Sequence, residues 1–165
     1  MTTNEFLDDL CAFMKEATKN LRLPVRPTKE VREPIARAPE VYKMRLPDAK
    51  SYQDKAPYLI NRVVLIEDHQ NPGQRGKATC TVCTSFCVYS DDEMQGALYL
   101  LNVIEDVRQA ILREQLISNL YQVVMDEGIQ SAIYDNQPAP FFIGEMVSVW
   151  TIPTIEREVS KWLRK

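Results

Sequence analysis

A chain of 165 residues is the size of one compact domain, and at that size folding hides roughly two thirds of the surface the unfolded chain would expose. Hydrophobic residues at 45% and charged residues at 26% sit close to soluble globular averages, which excludes a disordered or fibrous chain. The 20 Lys and Arg against 23 Asp and Glu leave a net charge of -3, which argues against generic binding to phosphate backbones.

No apolar run approaches the ~18 residues of a membrane-spanning helix, and Met1 to Leu10 is acidic rather than a basic stretch leading into an apolar one, so neither secretion nor membrane insertion is expected. The cysteines are Cys11, Cys80, Cys83 and Cys87, too few to staple a chain of this length; reduced thiols in a cytoplasm are the simpler reading.

In chain order, residues 4–21 carry Phe6, Leu7, Leu10, Cys11, Phe13, Met14 and Ala17 at steps of three and four, the spacing of one helix face, with Asn4 placed to cap it. Pro24, Pro27, Pro34 and Pro39 follow, and their missing donors forbid a regular ladder, which predicts an extended connector. The domain reading is therefore an amino-terminal helix and connector over 1–40 and a core domain over 41–165 with a charged tail. Val41 to Leu46 alternates apolar and charged residues as a short strand stopped by Pro47. Tyr58 to Glu67 is rich in Ile, Leu and Val, the composition of a strand buried on both faces.

Asn71, Pro72, Gly73 and Gly76 then mark the reversal of a hairpin, whose second arm, Ala78 to Tyr89, places Ala78, Cys80, Val82, Phe86 and Val88 on one face. Thr84 is the polar interruption of that face. Ser90-Asp91-Asp92-Glu93 has the form of a capping box opening a long helix that ends near Glu114, with Met94, Ala97, Leu98, Leu101, Ile104, Val107, Ile111 and Leu112 expected toward the sheet. Tyr121 to Met125, Ser131 to Tyr134 and Phe141 to Ile152 read as strands, and Thr154 to Lys165 as a charged tail with a helical turn or two. These elements predict an α+β fold: a mixed, mainly antiparallel β-sheet with one long helix packed on it and an amino-terminal helix.

Residues able to carry chemistry are few. Cys80, Cys83 and Cys87 have short spacings that suit zinc or a redox dithiol, but the β-forming residues between them predict an extended chain in which Cys80 and Cys83 point to opposite faces. His69 is the lone histidine, read as a loop residue beside Asp68. The pairs Asp8-Asp9, Asp91-Asp92 and Asp126-Glu127 suit helix-terminus and turn roles. Arg22, Arg26, Lys29, Arg32 and Arg37 make a basic stretch in the connector, read as a solvated linker. Five glycines leave no phosphate loop, so no catalytic residue, cofactor or metal is assigned. The aromatic residues Tyr134, Phe141, Phe142, Trp150 and Trp162 gather in the last third as candidates for subunit contact.

One sequence of phrases carries a resemblance: Lys43-Met44-Arg45-Leu46-Pro47, Ala56-Pro57-Tyr58, Val88 to Glu93 with Gly96 and Leu100-Leu101-Asn102, then Phe142 to Met146 leading to Trp150, Pro153 and Ile155 to Glu158. From about Val41 to Glu158 the chain resembles the tail terminator (tail completion) proteins of long-tailed bacteriophages and prophages. The resemblance implies a non-enzymatic virion protein, assembled in the host cytoplasm, that forms a hexameric ring. Such a ring caps the tail tube, ends tail polymerisation and joins the head, at the neck, through a connector or stopper protein, with DNA passing through its lumen. The amino-terminal extension through the prolines departs from that pattern. The alternatives are another neck or head-completion protein, and a cysteine-based metal-binding protein.

Overall fold

The computed structural model describes residues 2–30, 33–47 and 55–156. Helix α1 (Thr3–Thr18) is opened by a capping box two residues earlier than expected: the Glu5 amide donates to Thr2 Oγ1 at 3.3 Å, and the Thr2 amide donates to the Glu5 carboxylate at 2.6 Å. Thr2, not Asn4, caps the helix, because only Thr2 has an acidic partner three residues on. Phe6, Leu7, Leu10, Met14 and Thr18 are buried, and the Thr18 hydroxyl donates to the Met14 carbonyl at 2.9 Å.

The connector is not wholly free of ladder. Strands β1 (Leu23–Pro24) and β2 (Ala36–Arg37) pair antiparallel over two residues each, and Leu23 enters the core. Nor is its basic stretch simply solvated: the Arg37 guanidinium donates to the carbonyls of Ala38, Pro57 and Lys55 at 3.1, 3.1 and 2.8 Å, and Arg26 stands 5.9 Å over the Phe141 ring.

The main sheet has five strands: β3 (Glu40–Lys43), β4 (Tyr58–His69), β5 (Lys77–Tyr89), β8 (Gln130–Ile133) and β9 (Phe141–Ile152), in the order β3-β4-β5-β9-β8. All neighbours run antiparallel except β3 beside β4. β3 stops at Lys43 rather than Leu46, since Met44 turns the chain with a φ of 62°. The alternation of β5 holds along its length, with Ala78, Cys80, Val82, Thr84, Phe86 and Val88 all buried.

Helix α2 (Glu93–Glu114) packs on that face, but its cap and its rotation differ from expectation. Asp92 caps it, accepting from the amides of Met94 and Gln95 at 2.9 and 3.0 Å, while Ser90 accepts only from the Asp92 amide. Gly96, Leu100, Val103, Ile104, Val107 and Ile111 face the core, whereas Met94, Leu98 and Leu101 are exposed. Close approach sets this rotation. A Cβ on Gly96 would lie 2.1 Å from the Phe142 ring, and one on Gly144 would lie 2.9 Å from Ile104 Cδ1. The helix therefore turns its glycine, not its Met and Leu stripe, toward β9.

The strand expected over Tyr121 to Met125 is shorter: β7 (Tyr121–Gln122) pairs antiparallel with β6 (Leu116–Ile117) in a small hairpin after α2, and past it Val123 forms an isolated bridge to Trp150. The expected turn in the tail falls on residues 157–165, outside the described ones; Thr154 to Glu156 are not helical.

One core joins all this. Phe6 of α1 lies 4.9 Å from the Tyr121 ring and 5.9 Å from that of Trp150, among Leu10, Met14, Leu23, Val82, Phe86 and Ile104. Helix α1 and Leu23 of β1 are packed into the same core as the sheet. A smaller cluster of Leu46, Ala56, Tyr58, Cys87, Tyr89 and Phe141 covers one end of the opposite sheet face. The architecture is α+β, with two helices packed on a mixed, mainly antiparallel five-stranded sheet.

Candidate interaction surface

The sheet is uneven in length. β3 accompanies β4 only from Tyr58 to Asn61, while β5 and β9 continue together to Ala78 and Ile152. Past Val63 a bulge adds one residue to β4, and pairing to β5 resumes at Leu65↔Thr81 and runs to His69↔Lys77. Among the described residues no strand covers the outer edge of β4 from Val64 to His69. Val64, Leu65 and Ile66 on that edge are 57%, 50% and 48% exposed. This corrects the expectation of a strand buried on both faces: the composition is right for burial, but the partner strand ends too early to provide it.

The bulge gives these side chains three directions. Leu65 stands with Thr81 on the face away from the helices, Ile66 with Cys80 on the helix side, and Val64 is the extra residue between them. An apolar edge strand with open backbone groups is a template for another chain unless something shields it.

The opposite edge of the sheet is β8, whose four residues are all exposed. Beside it, on the face away from the helices, the Tyr134 hydroxyl donates to Glu145 Oε2 at 2.8 Å, Arg62 stands 3.8 Å from Glu145 Oε1, and Arg62 donates to Ser85 Oγ at 2.9 Å. The bond to Glu145, then its charge, holds the Tyr134 phenol above its usual range. Exposed pairs of this kind stabilise little; their effect is to fix side-chain positions on an open surface.

The aromatic residues expected at a subunit contact divide. Tyr134 is 48% exposed, but Phe141, Phe142 and Trp150 are 3%, 4% and 0% exposed, consumed by this chain's own cores, and Trp162 lies outside the described residues. Sequence position grouped them, whereas strand parity sent Phe142 and Trp150 under the helices and Phe141 into the second cluster. The exposed apolar residues of β4 escaped the sequence reading because a run of Val, Leu and Ile looks the same whether or not a neighbouring strand is long enough to cover it.

The thiols do not converge. Cys80 is buried on the helix side, Cys83 lies half-buried on the other face beside Arg62 and Glu145, Cys87 joins the second cluster, and Cys11 on α1 accepts from Asn61 Nδ2 at 3.4 Å. Burial pushes Cys80 up to about 11; burial, against a weaker opposing bond to Tyr58, pushes Cys87 up to about 11. Burial also raises Cys83 and Cys11. These are protonated thiols at neutral pH, poorly suited to nucleophilic attack.

Within each acidic pair at least one residue has a local role. Asp8 pairs with Lys43, Asp91 accepts from the Tyr89 hydroxyl, Asp92 caps α2, and Glu127 sits in a turn closed by its own amide on the Val124 carbonyl at 3.2 Å. His69 ends β4 on the exposed hairpin. Among the described residues no helix is long and apolar enough to cross a membrane.

No protein-family model matches the chain, and no curated protein matches it.

Proposed function

We propose that this chain is a structural virion protein of the tail terminator kind, acting without catalysis as a homo-oligomeric ring at the junction of a bacteriophage tail tube and head. The observation that carries the reading is the open, apolar edge of β4 at Val64, Leu65 and Ile66, facing away from the equally open β8 across the same sheet. Two unlike edges on opposite sides of a subunit give heterologous contacts, and heterologous contacts close into rings when the rotation permits. The order of sequence phrases from Lys43 to Glu158 supports the same reading and supplies its particulars: a hexamer, a tail tube protein on one face, a connector or stopper on the other, and DNA passing through the lumen. A modest net charge of -3 suits a channel that DNA traverses without sticking.

The test is twofold. Sedimentation velocity and negative-stain imaging of the purified chain, alone and with tail tube protein, should find closed rings; a monomer under both conditions overturns the reading. Inactivating the gene in its phage should give overlong tails, whereas normal-length tails beside tailless filled heads would assign the chain to another neck position.

A further inference from the structure

The two open edges of the sheet suit each other in direction. Three antiparallel steps lead from β4 through β5 and β9 to β8, so β8 runs opposite to β4. A second copy that continues the sheet, with its helices on the same side, therefore brings its β8 antiparallel to β4 of the first. The place it can take is defined. Met44 Sδ accepts from the Val63 amide at 3.4 Å just past the end of β3, so among the described residues the edge is occupied as far as Val63 and open from Val64.

Strand parity narrows the register. Ile66 and Asp68 lie on the helix side of β4, with Leu65 and Glu67 on the other face. On β8, Ser131 and Ile133 lie on the helix side, with Ala132 and then Tyr134 on the other. Directly opposed residues share a face, which leaves registers two residues apart. One of these sets Ile66 opposite Ile133 and Leu65 opposite Tyr134, pairing four side chains that are each about half exposed in the single chain. It also sets the Ser131 hydroxyl against the Asp68 carboxylate and Ala132 against Glu67. A slip of two residues either way puts Ile66 against Ser131 or Asp135 and loses the apolar match. On the helix side, a cleft of about 310 Å³ bordered by Ile66, Tyr121 and Ile152 is open to receive Ile133 of the next copy.

Charge agrees at both ends of this register. The Asp126-Glu127 turn that leads into β8 arrives beside the tip of the β4–β5 hairpin, which carries Arg75 and Lys77, and Asp135 arrives beside Arg45, where β3 has ended. Among the described residues no ion pair engages Arg45, Lys77, Asp126, Glu127 or Asp135. Unpaired acid thus meets unpaired base, which fixes partner and register together.

We propose, on the basis of the ring reading above, that β8 of one copy adds to the open edge of β4 in the next as an antiparallel strand, with Ile133 against Ile66 and Tyr134 against Leu65, so that one sheet runs through the assembly. Within its own sheet Ile133 stands level with Leu59, through Gly144 and Phe86. Beside Ile66 of the next copy it stands further along the strand by about 20 Å, roughly six rungs of the ladder. A step of this kind closes into a ring when the strands tilt from the ring axis, as stagger and tilt are linked in a barrel.

Disulfide cross-linking reads the register. Glu67 and Ala132 are both exposed, and they sit on opposite edges of one chain, so a bond between them joins two copies. In a Cys83→Ser background, which removes the half-buried thiol of that face, Glu67→Cys with Ala132→Cys should give a ladder of covalent oligomers on mild oxidation. The yield should be several-fold above that of Glu67→Cys with Ile133→Cys, whose thiols stand on opposite faces. Rings in sedimentation velocity without the Glu67–Ala132 cross-link overturn the strand pairing and leave the ring reading standing, as does an equal or higher yield from the Ile133 variant. A chain that stays monomeric with and without tail tube protein overturns both.

Discussion

Thr84 Oγ1 donates to Asn61 Oδ1 at 2.7 Å, and both residues are fully buried between β4, β5 and α1. Asn61 Nδ2 continues the chain of bonds to Cys11 Sγ at 3.4 Å. The polar break in an otherwise apolar β5 face is thus met by the polar residue opposite it in register, Asn61↔Thr84, and tied to the amino-terminal helix. Thr84→Val should cost about 1–3 kcal/mol, chiefly by leaving Asn61 Oδ1 without a donor, and Asn61→Leu should cost a similar amount. The double variant should lose less than the two single losses added, which urea unfolding in a double-mutant cycle measures.

Gly96 and Leu101 should behave in the reverse of what the sequence pattern suggests. Gly96→Ala improves helix propensity, yet its Cβ would meet the Phe142 ring at 2.1 Å, so overpacking should dominate and destabilise by about 1–3 kcal/mol. Leu101 is 43% exposed, so Leu101→Ala should stay near 0.5 kcal/mol rather than the ~2–5 kcal/mol of a core position. Thermal unfolding of the two variants side by side decides.

Much of the fold was legible because most elements announce themselves locally. The β5 alternation, the hairpin reversal and the last turn of α2 each depend on neighbours in sequence. What failed depended on distant partners. The rotation of α2 turns on Gly96 meeting Phe142, and the exposure of β4 turns on where β3 ends; neither contact leaves a periodic trace. The same limit affected the site. Phe141, Phe142 and Trp150 were expected at an interface because they are aromatic and close in sequence, whereas the exposed candidates, Val64 to Ile66, were assigned to the interior for their composition.

The raised thiols predict an alkaline weakness. Cys80 and Cys87 hold their protons up to about 11 in the fold, against 9.0 for an ordinary cysteine. Between those values the folded chain binds more protons than the unfolded one, so stability is fully present below pH 9 and falls as pH rises toward 11. The urea midpoint should decline over that window, and less so in a Cys80→Ala, Cys87→Ala background. Thiol labelling at pH 8 should modify Cys83, half-buried on the open sheet face, before either of them.

On the ring reading proposed above, the exposed edge of β4 lets folding be tested apart from assembly. Because Leu65 and Ile66 are already 50% and 48% exposed, replacing them with Glu removes little buried area from the monomer, and the melting temperature of the dissociated chain should change by only a few degrees. In an oligomer the same carboxylates would be carried into an interface without partners, which is strongly unfavourable. If the proposed ring assembles through this edge, Leu65→Glu with Ile66→Glu should therefore convert it to monomers in sedimentation velocity while leaving the circular dichroism intact. Thr79→Glu on the neighbouring strand, one row further out and paired to Glu67, serves as the charge control and should leave the rings assembled if contact runs along the open edge rather than over the face of the arm.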